Sequence, residues 1–186
     1  MIKDVIFNKL FQFLFISIAF SGIAGCKLAD KLTQFDMEYE TRVTVPASSG
    51  INLPFNLLTP SVPTNSTSQF ESNNTRKDLV EEIRLTSLIL LVESPAGEDF
   101  SFLENIAIFI KADGLPERKI AWKEPVPEPV GNKISLDVSG EDLKEYVKKD
   151  QFSLRVYTDT DEALAEDHTI KVSSVFFVNA KLANRD

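Results

Sequence analysis

The sequence predicts a mainly β protein, folded as a single antiparallel β-sandwich with about 7 to 9 strands and one or two short helices. Two segments with strict period-two alternation lead to this prediction, one near each end of the body. Over residues 35–45, apolar or weakly polar side chains alternate with mostly charged ones. Residues 170–182 alternate in the same way. Antiparallel strands with one face on a core and the other in water show this pattern.

The other strands are predicted where short apolar runs are bounded by turn residues. In chain order these candidates are 51–58, 83–93, 105–111, 119–123, 133–138 and 152–158. The run over 85–92 is nearly continuously apolar, which indicates a strand covered on both faces. Pro54 places the strand over 51–58 at a sheet edge or a bulge, because proline has no N–H to donate to a neighbouring strand.

Helix is predicted at two places only. Ser139 is expected to cap a short helix with Asp142 at its third position and with Leu143 and Tyr146 on one apolar face. A second short helical turn is predicted within 75–82, where the same capping spacing recurs.

The segment 59–75 is rich in serine, threonine, asparagine and proline. It is predicted to be a long exposed loop. Loops of this length inside a compact domain are uncommon. We consider two interpretations, a variable surface segment and a binding loop held by a rigid scaffold.

The only cysteine, Cys26, ends the run Ile23-Ala24-Gly25-Cys26, which follows two lysines and an apolar stretch over 10–20. That stretch is much shorter than the ~20 residues that span a bilayer. A cleaved leader is therefore favoured over a membrane span. The run resembles the bacterial lipobox, in which the cysteine thiol receives a diacylglyceryl group. An ordinary signal peptide with an incidental cysteine, or a short membrane anchor, is the alternative.

The chain as a whole is similar to the large class of small bacterial lipoproteins with an immunoglobulin-like or related β-sandwich body. This resemblance implies a lipoprotein signal peptide over 1–25, a short tether over 26–34 and a sandwich domain over 35–186. Lys27 stands where an aspartate would resemble an inner-membrane retention signal. The resemblance therefore favours the outer membrane, with the body facing the periplasm. Exposure at the cell surface is the alternative.

The chain is acidic, with 20 basic and 28 acidic residues and a formal net charge of −8. Loss of the leader would remove two lysines and one aspartate, which makes the body one unit more negative. Such a body without a basic stripe is expected to bind neither nucleic acid nor anionic lipid headgroups by charge. Attachment to the membrane then depends on acyl chains at Cys26. A single cysteine also excludes an intrachain disulfide.

Residue types that carry catalysis are scarce. His168 is the only histidine, and it is predicted to be a surface or edge residue rather than a general base. The sequence contains no Gly-x-Ser-x-Gly elbow, no glycine-rich phosphate loop and no His-Glu-x-x-His motif. We therefore predict no catalytic residue, no metal ligand and no cofactor.

Five carboxylates cluster before the last predicted strand: Asp159, Asp161, Glu162, Glu166 and Asp167. A solvated acidic loop is predicted here rather than a calcium site. Ala163 and Leu164 occupy positions where an EF-hand-like loop would supply a ligand and a glycine. Elsewhere, alternation places Trp122 on the same face as Ile120, which predicts that the indole packs in the core.

These observations predict a non-catalytic, membrane-tethered binding or structural module. Its expected partners are other envelope proteins or glycans, bound through sandwich loops or an exposed sheet edge. Two alternatives remain from other classes. One is a carboxylate-based hydrolase of the envelope, and the other is a calcium-dependent adhesion module.

Overall fold

The computed structural model describes residues 34–47, 55–160 and 162–183. These ranges contain ten strands, two short α-helices and a 3-10 turn over Lys77–Leu79. The strands are β1 (Gln34–Val45), β2 (Phe55–Leu58), β3 (Val62–Pro63), β4 (Val80–Ser94), β5 (Leu103–Lys111), β6 (Arg118–Lys123), β7 (Lys133–Ser135), β8 (Asp137–Val138), β9 (Gln151–Thr160) and β10 (His168–Ala180). The helices are α1 (Ser66–Ser72) and α2 (Lys144–Val147).

The strands form two sheets that pack face to face. The first sheet has the order β1-β10-β4-β7, and the second has the order β2-β9-β5-β6-β8, with β3 also paired to β9. Every strand pair is antiparallel. The predicted antiparallel β-sandwich is therefore confirmed. The described part of the chain contains slightly more strands than expected, because some are only two or three residues long.

The two strands that led to the prediction are neighbours. β1 pairs with β10 from Gln34↔Asn179 to Val45↔His168 without a register shift. In both strands most of the predicted apolar face is buried, but Phe35 and Thr41 are half-buried, and Leu182, which lies beyond the end of β10, is exposed. The sheets meet at three aromatic rings, since Tyr39 of β1 contacts Phe152 of β9 at 5.4 Å and Phe176 of β10 at 5.8 Å between ring centroids. Edge-to-face rings of this kind add to the stabilisation that burial provides.

The prediction of a long exposed loop over 59–75 is wrong. This segment contains β3 and α1, and it buries Phe70 completely. Its threonines bond to carbonyl groups elsewhere in the body. The Thr64 hydroxyl donates to the Lys149 carbonyl at 2.6 Å, and the Thr75 hydroxyl donates to the Lys181 carbonyl at 2.6 Å. The polar composition of this segment predicted an exposed loop. Its threonine hydroxyls instead satisfy backbone carbonyl groups inside the structure.

The predicted strand over 133–138 is divided between the sheets. β7 pairs with β4 in the first sheet, and β8 pairs with β6 in the second. Leu136 lies between them, buried, and its N–H donates to the Leu88 carbonyl at 3.0 Å. The chain thus crosses from one layer to the other at this leucine.

The helix expected after Ser139 exists, but it begins later, and its N-cap residue, Leu143, forms no side-chain capping bond. Ser139 lies outside α2, and the Asp142 carboxylate accepts the N–H of Lys144 at 3.0 Å. The same Asp142 oxygen accepts the N–H of Ile83 at 3.1 Å, which ties the start of α2 to β4. The predicted apolar face is buried, including Leu143 and Tyr146. The turn predicted within 75–82 is shorter than expected, because β4 already begins at Val80.

The predicted leader over 1–25, Cys26 and most of the tether lie outside the described residues, as do Pro54 and Asp161. In the described ranges, no helix is both long and apolar enough to cross a membrane.

Candidate functional site

An open groove of about 250 Å³ lies on the outer face of the second sheet. The side chains that line it come from β5, β9 and the residue after β6, and we call this site the outer groove: Asn105, Ala107, Glu124, Tyr157 and Asp159. Tyr157 is 39% exposed, which is unusual for a large apolar side chain in this body.

Strand register explains why these residues meet. Ala107 of β5 pairs with Tyr157 of β9 on one side and with Trp122 of β6 on the other. Strand spacing of 4.7–4.9 Å separates the two aromatic residues by about 10 Å between Cα atoms. Ala107, with a single methyl group, is only 6% exposed between them. A small residue between two aromatic ones leaves a depression in the face of the sheet.

Polar groups occupy one end of the outer groove. Asn105 pairs with Asp159, and Glu124 directly follows the β6 residue that pairs with Ile106. The Glu124 carboxylate lies 2.8 Å from the Lys119 ammonium, which itself lies 5.1 Å from the centre of the Trp122 ring. No cation of the described residues forms an ion pair with Asp159. This end therefore offers one paired carboxylate, one unpaired carboxylate and an amide.

Cationic and aromatic side chains lie beyond the outer groove on the same sheet face, where Phe109 of β5 pairs with Arg155 of β9. The Arg155 guanidinium carbon lies 4.4 Å from the centre of the Phe109 ring. Its Nε lies 2.7 Å from a Glu117 carboxylate oxygen, and its Nη1 donates to the Asn56 side-chain oxygen at 3.3 Å. The guanidinium thus has an aromatic ring, a carboxylate and an amide oxygen as neighbours on this face.

This arrangement suits recognition of a hydroxylated ring. The face of an aromatic ring carries negative charge density and attracts the weakly positive C–H groups of an aliphatic ring. Carboxylates accept hydrogen bonds from hydroxyl groups, and an amide both donates and accepts. The outer groove places these two kinds of contact side by side.

Trp122 was predicted to pack in the core beside Ile120, and this prediction is wrong. The pairing of β5 with β6 shifts register between Ile108 and Phe109, so that β6 has one extra residue there. As a result Ile120 and Ala121 are both buried, and Trp122 lies half-buried on the outer face with Ala107. A β-bulge reverses the face of every later residue in its strand, and simple alternation cannot anticipate it.

His168 was predicted to be a surface or edge residue, and this too is wrong. It is 2% exposed and lies in β10, which has strands on both sides. Its Nδ1 lies 2.9 Å from the Glu166 carbonyl oxygen, and its ring meets the edge of Phe102 at 5.2 Å. Its Nε2 has no hydrogen bond within the described residues, and a Glu98 oxygen lies 3.6 Å away. The turn between β4 and β5 covers this histidine.

The predicted acidic cluster is dispersed. Asp159 belongs to the outer groove, whereas the Asp167 carboxylate accepts the N–H of Ala47 at 2.7 Å. Glu162 and Glu166 are exposed, and Asp161 lies outside the described ranges. In the part of the chain that the structure describes, no three acidic, histidine or cysteine side chains are grouped as a metal site would require.

One feature of the sequence does point to the outer groove, namely the position of Tyr157 in the alternation of its strand. In the predicted strand over 152–158, Phe152, Leu154 and Val156 occupy the inner phase, so that Tyr157 falls on the outer face. An aromatic residue in the polar phase of a strand is a candidate for binding. No local pattern predicts that the other lining residues belong to this site, since only the order of strands in the sheet brings them close to Tyr157: Asn105, Ala107 and Glu124.

A larger hollow of about 440 Å³ lies near the far end of the same sheet, bordered by Leu58, Lys111, Gly114 and Gln151. A third, of about 330 Å³, lies beside α1 and is lined almost entirely by small polar side chains. Neither combines an exposed aromatic ring with carboxylates, so we take the outer groove as the candidate site.

No protein-family model matches the chain, and no curated protein matches it. Many solved structures are similar over most of its length, among them the following three. The FLHE protein covers 80% of this chain and 97% of its own, with a TM-score of 0.37 and 7% identity. A chain of infectious bursal disease virus Gt strain covers 79% and 32%, with a TM-score of 0.38 and 7% identity. A carbohydrate-binding module of the β-sandwich superfamily covers 75% and 54%, with a TM-score of 0.28 and 13% identity. We draw no functional conclusion from similarities at these TM-scores.

Proposed function

We propose that this chain is a non-catalytic binding module of the bacterial envelope, anchored to the outer membrane through acyl chains at Cys26, which binds glycans in the outer groove. The observation that carries the proposal is the exposed Tyr157 ring beside a buried alanine, with Asn105, Glu124 and Asp159 at the end of the same groove. The site lies on a sheet face, rather than in the loops or at the sheet edge that the sequence suggested.

A glycan is favoured over a protein partner for this groove because of the surface around it. Stable protein interfaces bury about 800 Å² on each partner around an apolar centre. Among the described residues only three large apolar side chains are clearly exposed, Leu58, Tyr157 and Leu182, and only one of them is aromatic. A single exposed ring with hydrogen-bonding neighbours suits a small polar ligand better than a broad protein surface.

Charge further restricts which classes of glycan the outer groove could bind. The body is acidic, and the Asp159 carboxylate, which forms no ion pair with any described residue, lines the groove. A ligand with phosphate or carboxylate groups would be repelled at short range. We therefore expect neutral glycans, or glycans with free amino groups, to bind more tightly than acidic ones.

The carboxylates also bear on the hydrolase alternative. Glu124 and Asp159 lie on either side of Asn105, with two strand spacings between their Cα atoms, about 10 Å. A glycosidase needs its two carboxylates on either side of a bound glycosidic linkage, one of them as a proton donor. Glu124 is held instead by the Lys119 ammonium, and the groove is open to solvent. This arrangement supports binding without hydrolysis.

The direct test is calorimetric titration of the full-length chain in detergent with neutral, amino and acidic oligosaccharides. Tyr157→Ala should weaken binding about tenfold, which corresponds to ~1.4 kcal/mol. Tyr157→Phe should keep most of the affinity, since the ring remains. Leu58→Ala is the matched control, because Leu58 is 55% exposed on the same sheet face but outside the groove.

Loss of affinity in Tyr157→Ala alone would support the proposal. Equal affinity in Tyr157→Ala and Leu58→Ala, or no binding of any oligosaccharide, would contradict it. Product analysis of the bound oligosaccharides covers the alternative, since cleavage that Glu124→Gln abolishes would show an enzyme.

A further inference from the structure

The β1 strand is a long and regular edge of the first sheet. It pairs with β10 over its 12 residues without a bulge. Within the described ranges, no strand pairs with its other side. The strands at the other sheet ends, β2, β7 and β8, have only 4, 3 and 2 residues. Natural proteins keep sheet edges short, bulged or covered, because a regular edge invites a further strand.

We propose that two copies of this chain join along β1, antiparallel to each other, with Thr41 on the two-fold axis. The first sheets of the two copies then form one continuous sheet. This interface is independent of the outer groove, which lies on the second sheet.

Charge on the outer face of β1 selects this register. With Thr41 on the axis, Glu40 of each copy faces Arg42 of the other, which gives two ion pairs. Glu38 then faces Thr44. Each Glu40 already lies 3.2 Å from Lys171, and each Arg42 binds Glu93 at 2.7 Å. Within one chain these contacts join β1 to β10 and β4, and the proposed pairs would add a partner from the other copy to each side chain.

Three of the neighbouring registers place like charges opposite each other. Side chains opposite each other must lie on the same face of a continuous sheet, so a two-fold axis passes through one residue of β1. An axis at Glu40 sets this carboxylate against its own copy, and an axis at Arg42 does the same for the guanidinium. An axis at Tyr39 sets Glu38 against Glu40 twice. Like charges directly opposite each other on a sheet are destabilising.

Thr41 itself is the second observation. It is the polar residue in the middle of the buried face of β1, and it is only half-buried between Tyr39 and Val43. No described residue forms a hydrogen bond with its hydroxyl. A second Thr41 directly opposite would provide that partner, since threonine pairs across strands hydrogen-bond to each other.

Disulfide formation tests the register in the full-length chain, expressed in its bacterial envelope and treated with a mild oxidant. Residues on the axis have Cα atoms about 4.5–5.5 Å apart, which a disulfide spans. Thr41→Cys should therefore form a disulfide-linked dimer of this chain. Thr44→Cys is the matched control, since it lies on the same strand and is more exposed. Its two copies would lie about 20 Å apart, six residues along the strand. The unsubstituted chain, whose only thiol is Cys26, sets the background.

Charge reversal gives a second readout in the Thr41→Cys chain. Adding Arg42→Glu replaces each of the two ion pairs between the copies by two carboxylates that face each other. The yield of linked dimer should therefore fall several-fold. Adding Arg84→Glu, which reverses an exposed arginine of β4 away from this edge, should leave the yield unchanged.

Three results would overturn the proposal. One is no dimer from Thr41→Cys, and another is an equal yield from Thr44→Cys. The third is a linked species whose mass shows a different protein on β1. Failure here leaves glycan binding in the outer groove untouched, because the two sites share no residue.

Discussion

The Tyr39 hydroxyl donates a hydrogen bond to the Thr64 carbonyl oxygen across 2.9 Å. This bond joins β1 of the first sheet to the segment between β3 and α1. The Gln69 amide donates to the same carbonyl at 3.0 Å. Burial raises the pKa of Tyr39 and outweighs the opposing hydrogen bond with Gln69, so the phenol stays protonated as a donor. The polar segment over 59–75 is thereby held on the core.

Removal of this hydroxyl should cost stability. Tyr39→Phe should lower the free energy of unfolding by about 1 kcal/mol, since Gln69 still satisfies the Thr64 carbonyl. Tyr39→Phe combined with Gln69→Leu should lose more than the sum of the single variants, because the carbonyl is then left without a partner. Urea denaturation measures both. Strict additivity would show that the two bonds do not share the carbonyl in solution.

The burial of β10 predicts a contrast between neighbouring phenylalanines. Phe176 is fully buried against Tyr39 and Phe152, and Phe176→Ala should lower the free energy of unfolding by about 3–5 kcal/mol. Phe177 lies on the outer face with the Arg84 guanidinium 5.8 Å from its ring centre, and Phe177→Ala should cost clearly less. Similar losses at the two positions would contradict the register of β10.

Asp142 should make stability depend on acid. Partial burial raises its pKa, but hydrogen bonds from the Ile83 and Lys144 N–H groups and from the Lys144 side chain lower the pKa by more. The net effect places it below the ordinary value of 3.8. A lowered pKa in the folded state adds stability above the unfolded pKa, and this contribution is lost as pH falls through the folded pKa.

Asp142→Asn should therefore be less stable than the parent chain at neutral pH, and this difference should shrink below pH 3.8. Denaturant titrations at pH 7 and pH 3 compare the two chains. Glu145→Gln serves as the control, because this neighbouring carboxylate makes no comparable contact with β4. A difference that stays constant with pH would show that the Asp142 contacts do not depend on its charge.

The anchor rests on sequence and has its own test. Cys26→Ser should abolish labelling by radioactive palmitate and should release the chain from membranes or block its processing. A C-terminal tag on parent and variant allows each chain to be isolated for the labelling assay. The same tag follows release from membranes by cell fractionation. Labelling that persists in Cys26→Ser would contradict the lipobox assignment.

Calcium should have little effect on stability. Of the described carboxylates in this segment, Asp159 lines the outer groove and Asp167 accepts the N–H of Ala47, so these two do not converge. Ligand at 100 times its dissociation constant would add about 2.7 kcal/mol. We expect the thermal midpoint to change far less than this in millimolar Ca²⁺. A calcium-specific rise that Mg²⁺ does not reproduce, lost when Asp159→Asn and Asp161→Asn are combined, would support the adhesion alternative.

The sequence predicted those parts of the fold where burial alone determines the pattern. β1 and β10 alternate because each has one face on the core and one in water, and no bulge disturbs their mutual pairing. The sequence did not predict α1, because Phe70 is the only apolar residue that packs this helix against the core. A single apolar residue cannot show the periodic spacing that indicates a helix. Trp122 was misplaced because the extra residue in β6 changes which face follows it.

The candidate site was harder to predict because it depends on which strands are neighbours. Tyr157 could have been found from its phase in β9. Glu124 and Asn105 could not, since their proximity to Tyr157 follows from the order β9-β5-β6. His168 was misplaced because the turn containing Glu98 covers it, and contacts from a distant turn leave no local pattern.

The regular pairing of β1 with β10 also determines how the body resists mechanical force. A pull from a membrane anchor would reach the domain at Gln34 and act along the axis of β1. Every pair from Gln34↔Asn179 to Val45↔His168 would share that load in shear. Strands loaded in shear separate only when many backbone bonds break together, whereas a hairpin pulled from its open end unzips one pair at a time. If the chain is anchored at this end of β1 and binds a glycan as proposed, the domain would hold that ligand under tension.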